Sequence, residues 1–145
     1  MNDNDLKKLS LILAKQLELQ NELLSLEQSK TKVLTDGDIS KLEEIMKQEQ
    51  SFVCKCDDQQ KKYQTFLTET SHSNITLKQL VTEYDADNKF QLQTLLSSLE
   101  DLFGRLKKAN NINTKILQSR LSVIGNCLSI TGIKDAVTYN KDGRF

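Results

Sequence analysis

Catalysis or metal binding in this 145-residue chain would have to begin with one histidine, His72, and three cysteines, Cys54, Cys56 and Cys127. His72 stands in the polar run Thr70-Ser71-His72-Ser73-Asn74-Ile75-Thr76 with no evident partner, so it reads as a solvated loop residue. Cys54-Lys55-Cys56 offers two thiols, but side chains two apart on a helix diverge by about 200°, and both sulfurs cannot grip one ion. Cys56 then packs as a small apolar residue and Cys54 is incidental. An odd number of cysteines without framework spacing predicts reduced thiols. A nucleophile, a base and a group to stabilise developing charge do not come together. There is no glycine-rich phosphate or dinucleotide loop either. The expectation is a protein that is not an enzyme, with no catalytic, metal or cofactor residues.

What remains is recognition, and its best candidate surface lies near the C-terminus. Asn110, Asn113, Leu117, Leu121, Ile124 and Leu128 continue one helical seam, and Ile112, Ile116, Val123 and Cys127 form a second stripe beside it. One antiparallel neighbour cannot cover so wide an arc. It either packs inside a three-helix bundle or is kept for another protein's amphipathic helix. Asn110 and Asn113 sit on the seam, where a buried amide must find a hydrogen-bond partner. They register the bundle or read a partner's backbone. The same stretch carries Arg105, Lys107, Lys108, Lys115, Arg120 and Lys134 with no acid between Asp101 and Asp135. A basic stripe steers an acidic partner or nucleic acid, but this one follows the helix's polar face. Over the chain, 20 basic residues balance 20 acidic ones, against the concentrated positive charge that phosphates demand, so no nucleic acid is expected.

Long helices must hold these side chains. No Pro, five Gly, 37% hydrophobic and 28% charged residues suit helices that bury one stripe and leave the rest wet. Leu6, Leu9, Leu13, Leu17, Leu24 and Leu34 step by threes and fours, with Ile12, Leu19, Leu23, Leu26 and Val33 alongside. Gln20, Glu27 and Thr31 fill the missing steps, and polar residues in a seam fix register at a cost in stability. Thr35-Asp36-Gly37-Asp38 closes this helix and caps the next. The second helix carries Ile39, Leu42, Met46, Val53, Cys56, Tyr63 and Leu67 on one face, flanked by Ile45, Phe52 and Phe66. A loop at Thr70–Thr76 precedes a short helix, and Asp85-Ala86-Asp87-Asn88 then reads as the cap of a long one with the heptad Leu92, Leu95, Leu99, Leu102, Leu106. Gly104 within it marks a bend or a close approach.

The predicted fold is therefore all-α: an elongated antiparallel helical hairpin or coiled coil with a third long helix and a flexible C-terminal tail. Helices are placed at about 5–35, 38–69, 77–84 and 87–130, in a domain of residues 1–131 followed by a mobile tail at 132–145. No apolar run approaches the roughly 20 residues of a membrane span, so stable membrane insertion is not expected. The acidic start Met1-Asn2-Asp3-Asn4-Asp5 is unlike a secretory signal, and a cytoplasmic location is expected.

The order of features resembles the FlgN-type flagellar export chaperones. The resemblance rests on the long first helix, the turn Leu34-Thr35-Asp36-Gly37-Asp38 followed by Leu42 and Glu49, the pair Asn110-x-x-Asn113 with Ile116-Leu117 behind it, and the tail Tyr139-Asn140-Lys141-Asp142-Gly143. Family members usually have Gly after the tail tyrosine; Asn140 here is the non-glycine residue that best tolerates the left-handed region. The resemblance implies an ATP-independent cytosolic chaperone for the hook-filament junction proteins FlgK and FlgL, binding their helical terminal segments before delivery to the export apparatus. It implies cargo contacts at Asn110, Asn113, Ile116, Leu117, Leu121, Ile124 and Leu128, and export-gate docking at Tyr139. A structural coiled-coil subunit of a secretion or flagellar assembly is the competing reading.

Overall fold

The computed structural model describes the backbone of residues 1–130 and the side chains of residues 1–122. Within these it holds four helices, α1 (Asp3–Asp36), α2 (Ile39–Glu69), α3 (Leu77–Tyr84) and α4 (Leu92–Ile130), and among the described residues there is no strand. No helix among them is long and apolar enough to cross a membrane. At 1.5 Å per residue, α1 is about 50 Å long.

Local chemistry sets each helix end. The Asn2 side chain accepts the Asp5 amide at 2.8 Å while the Asp5 carboxylate accepts the Asn2 amide, a reciprocal cap that satisfies two otherwise free donors. Gly37 closes α1 in the left-handed region at φ 73°, returning its amide to the Val33 carbonyl at 2.9 Å. Asp38 then caps α2 through the Lys41 amide at 3.1 Å. The left-handed φ is what calls for glycine; a Cβ there would lie 3.1 Å from Arg120 Nη1, the far end of a flexible side chain. The Arg120 guanidinium, on α4, donates to the Thr35 carbonyl and places a cation at the negative end of α1.

Cross-helix pairs give the directions. Lys30 meets Glu49, Gln20 meets Cys56 and Lys8 meets Glu69, so α1 and α2 form an antiparallel hairpin. Asn113 meets Glu27 and Arg120 meets Thr35, while Leu99 shares a cluster with Leu6 and Leu9, so α4 runs parallel to α1. By that register α4 reaches the end of α1 near Leu121, and Ser122–Ile130 continue past the hairpin turn. Both long neighbours pack chiefly on α1, and contact between α2 and α4 is slight.

The two ends of the bundle differ. At the end holding the start of α1, Leu6, Leu9 and Leu13 pack with Phe66 and Leu67 of α2, Leu80 and Val81 of α3, and Leu92 and Leu99 of α4. Four helices contribute and the core is closed. Toward the hairpin turn, Leu34, Leu117 and Leu121 form a small cluster with only Leu42 and Ile116 beside it. The predicted apolar face of α2 is correspondingly only part-covered: Ile39 is 72% and Val53 58% exposed, whereas the flanking Ile45 and Phe66 are buried. The cause is that α2 leans on α1 along one edge, and α4 does not close over the other.

Two expectations are corrected here. The long helix begins at Leu92, five residues later than its expected start at 87, because Asn88 and Gln91 take left-handed φ values of 57° and 59°. Asp85 ends α3 instead of capping the helix immediately after it. Its fully buried carboxylate accepts the Phe90 amide at 3.1 Å and the Leu92 amide at 2.9 Å, holding the connection and the first turn of α4 together. Gly104 is not a close approach, since no heavy atom lies within 4 Å of its Cβ direction. Asp85→Ala would strand two amides, one of them buried, and charged hydrogen bonds of this kind contribute about 1.5–3 kcal/mol. Urea denaturation should show a loss of about 2–3 kcal/mol; a loss below about 0.5 kcal/mol would contradict this account of the joint.

Candidate functional site

Because α2 and α4 flank α1 without meeting along its second half, they leave a cleft of about 710 Å³ floored by α1. Leu23, Glu27, Lys30 and Leu34 of α1 form the floor. One wall is Leu42, Met46, Glu49, Gln50, Val53 and Cys54 of α2, and the other is Asn110, Asn113, Thr114 and Leu117 of α4. From Leu23 to Leu34 the floor runs about 16 Å, the length of three helical turns. Its two ends are apolar and its centre is polar.

The polar centre is built from all three helices. Asn113 is buried and donates through Nδ2 to the Glu27 carbonyl at 3.0 Å and to Glu27 Oε2 at 2.9 Å, while Thr31 Oγ1 donates to Asn113 Oδ1. Every hydrogen-bonding atom of the amide side is thus turned inward on α1. Across the cleft, Lys30 Nζ lies 3.0 Å from Glu49 Oε1, with both side chains mostly covered. Glu49 also faces Glu27. Burial first, and then the hydrogen bond and repulsion from the Glu27 carboxyl, push the Glu49 carboxyl up to about 7 against the opposing pull of Lys30. Two carboxyl groups and one ammonium therefore share a partly dehydrated site, and near neutral pH the Glu49 carboxyl is poised to take up or release a proton.

A second polar step lies nearer the closed end, where buried Gln20 donates to Cys56 Sγ at 3.4 Å. Burial raises the pKa of that thiol, which keeps it neutral. Cys54 is exposed, and among the described residues no cluster of His, Cys, Asp and Glu is arranged to hold a metal ion. His72 departs from its sequence reading. It is half-buried, with Nε2 2.8 Å from Tyr84 Oη and the rings edge to face, so it ties the α2–α3 loop to α3 rather than standing in water.

The seven candidate cargo residues of α4 fall into three groups. Asn113, Leu117 and Leu121 are buried against α1, and Ile116 is half-buried in the same cluster. Their side chains are used within the chain, so of the two roles open to Asn113 the structure shows bundle registration. Asn110 is exposed on the cleft wall. The side chains of Ile124 and Leu128, with Cys127 between them, and the whole of Tyr139 lie outside the described residues. Lys30 and Glu49 were not candidates from sequence chemistry, since either alone reads as a solvated helix face. The available signal was the run of polar residues Gln20, Glu27 and Thr31 interrupting the α1 stripe.

Comparison with known proteins points to one family. The sequence model of the family described as FlgN protein matches residues 1–144. A Bacillus subtilis (strain 168) protein, described as uncharacterized protein YvyG, is 30% identical over 110 residues, covering 73% of this chain and 68% of that protein. No solved structure matches.

The raised Glu49 pKa fixes a sign for stability against pH. The folded chain holds this proton more tightly than the unfolded chain, so the group's contribution is full below about 4.5 and is lost as pH passes about 7. Glu49→Gln cannot titrate. In urea titrations the stability difference should therefore move in favour of E49Q between pH 5 and pH 8, and a difference constant with pH would refute the raised Glu49 pKa.

Proposed function

The chain belongs to the FlgN protein family of flagellar export chaperones, and from that premise we propose that it binds the helical terminal segments of the hook-filament junction proteins FlgK and FlgL. Binding holds those segments apart until they are delivered to the export apparatus in the cytoplasm. The observation that supports this reading is the open half of the bundle: a three-turn cleft with apolar ends, bounded by two helices that barely touch. A filament subunit's coiled-coil end is an amphipathic helix seeking neighbours, and a cleft between two helices offers it substitutes for its own partners. The bundle becomes four-helical along its second half when the segment is in place.

The cargo contacts of α4 divide accordingly. Asn110 faces the segment directly, while Asn113, Leu117 and Leu121 hold α4 on α1 and so set the width of the cleft. Ile116 completes that small cluster, and Ile124 and Leu128 are assigned to the cargo as further contacts. Nothing in this binding needs a cofactor or a covalent step. Release must follow delivery, which calls for moderate affinity, in the micromolar range of about −8 kcal/mol rather than the picomolar range.

Met46 lines the cleft on the wall opposite α4 and is only half-buried, so Met46→Asp should leave helicity by circular dichroism intact. Binding of an FlgK or FlgL terminal segment in calorimetry should fall at least tenfold; undiminished binding would place the cargo elsewhere. Tyr139 is proposed to contact the export gate. Tyr139→Ala should then preserve the cargo complex while reducing secretion of the junction proteins, and loss of cargo binding would count against that assignment.

A further inference from the structure

The polar centre of the cleft is unbalanced. Glu27 and Glu49 bring two carboxyl groups, and Lys30, 3.0 Å from Glu49, brings one ammonium. The α4 wall adds no charge, since Asn110, Asn113 and Thr114 are neutral, and Asn113 is already committed to Glu27. On α2 the further titratable group at the cleft is the Cys54 thiol. With both acids ionised the site carries one uncompensated negative charge in a place that is partly dehydrated, where charge is costly unless paired. In the free chain a bound proton removes that excess. A helix laid along the cleft would dehydrate the site further and sharpen the need for a cation.

We propose that the cleft selects a helix carrying a lysine or arginine at its centre, flanked three or four residues away on each side by apolar residues, the cation sitting between Glu27 and Glu49 in place of the proton. This rests on the cleft being the cargo site, and it adds which helices that site accepts. The apolar flanks meet Leu23 at one end and Leu34 with Leu42 and Leu117 at the other. The spacing comes from the 16 Å floor, which accommodates one central and two terminal contacts at 3.6 residues per turn. A central acidic residue would add a third carboxyl group and is rejected; an apolar one leaves the acids unpaired and is disfavoured. A single buried polar position of this kind fixes the register of a helix against its partners.

Replacement of a proton by a cation makes binding depend on pH in a defined direction. The bound complex holds one proton fewer, so affinity rises with pH and levels off above the value near 7 at which Glu49 titrates. One proton with that pKa corresponds to a change of about tenfold in Kd between pH 6 and pH 8.

The test uses the full chain and the terminal helical segment of FlgK as the probe, titrated by calorimetry at pH 6 and pH 8 in buffers of different ionisation enthalpy. Wild type should bind about tenfold more tightly at pH 8, releasing close to one proton at pH 6. Glu49→Gln should bind with the same affinity at both pH values. Changing each lysine and arginine of the segment to glutamine in turn should identify one whose loss weakens binding at pH 8 and abolishes proton release. Should E49Q fail to fold by circular dichroism, Glu49→Ala removes the same titrating carboxyl. Tight binding that is independent of pH in wild type, or a pH dependence that survives in both variants, overturns the cation-selective centre and leaves the chaperone reading standing. Absence of binding at either pH overturns the cleft as the cargo site and this inference with it.

Discussion

Both long neighbours of α1 depend on it, and a buried hydrogen-bonded step, Glu27 with Thr31 and Asn113, holds one of them in register. A purely leucine seam would allow α4 to slide along α1 by a turn at little cost. A buried amide engaged by a carbonyl, a carboxylate and a hydroxyl cannot slide without leaving all of them unpaired, at about 1–3 kcal/mol for each stranded group. The Arg120 contact with the end of α1 agrees with the same register. Once α4 is locked to α1 on one side and α2 is turned back by Gly37 on the other, the space between α2 and α4 is a consequence. The cleft exists because the spine serves two partners that do not serve each other.

That arrangement explains why the chain has a thick end and a thin one. At the thick end α3 and the Asp85 joint bring a fourth layer of side chains over Leu9 and Phe66, and the core is closed. At the thin end no fourth helix arrives among the described residues, and Val53 is 58% exposed. For an export chaperone the division is useful. On the proposed reading, the thick end supplies the closed core and the thin end receives the cargo.

The helices and their polarity were legible in the sequence because three- and four-residue steps, Gly37 and the Asp38 cap are local signals. Interruption of the α1 stripe by Gln20, Glu27 and Thr31 likewise announced polar steps, and Asn113 announced a need for a partner. Which polar residue meets which was not legible, since Glu27 and Asn113 are 86 residues apart and their pairing depends on α4 running parallel to α1. The start of α4 was misplaced because Asp85 has the residue type of a cap for a helix starting immediately after it, and only the left-handed turns at Asn88 and Gln91 show that its carboxylate reaches further along the chain. The Lys30–Glu49 pair was hidden for the opposite reason: charged residues on helices usually belong to solvent, and these two are drawn inward by the cleft that the fold creates.

The central claim is that cargo occupies the space between α2 and α4, and site-directed photocrosslinking tests it most directly. A photoreactive side chain at Val53, on the rim of the cleft, is compared with one at Leu11, which is 72% exposed and is not a cleft-lining residue. With FlgK or FlgL present, crosslinks to the terminal segment should form from position 53 and not from position 11. Crosslinking from position 11, or from neither position in a chain that still co-purifies with its cargo, would contradict the account.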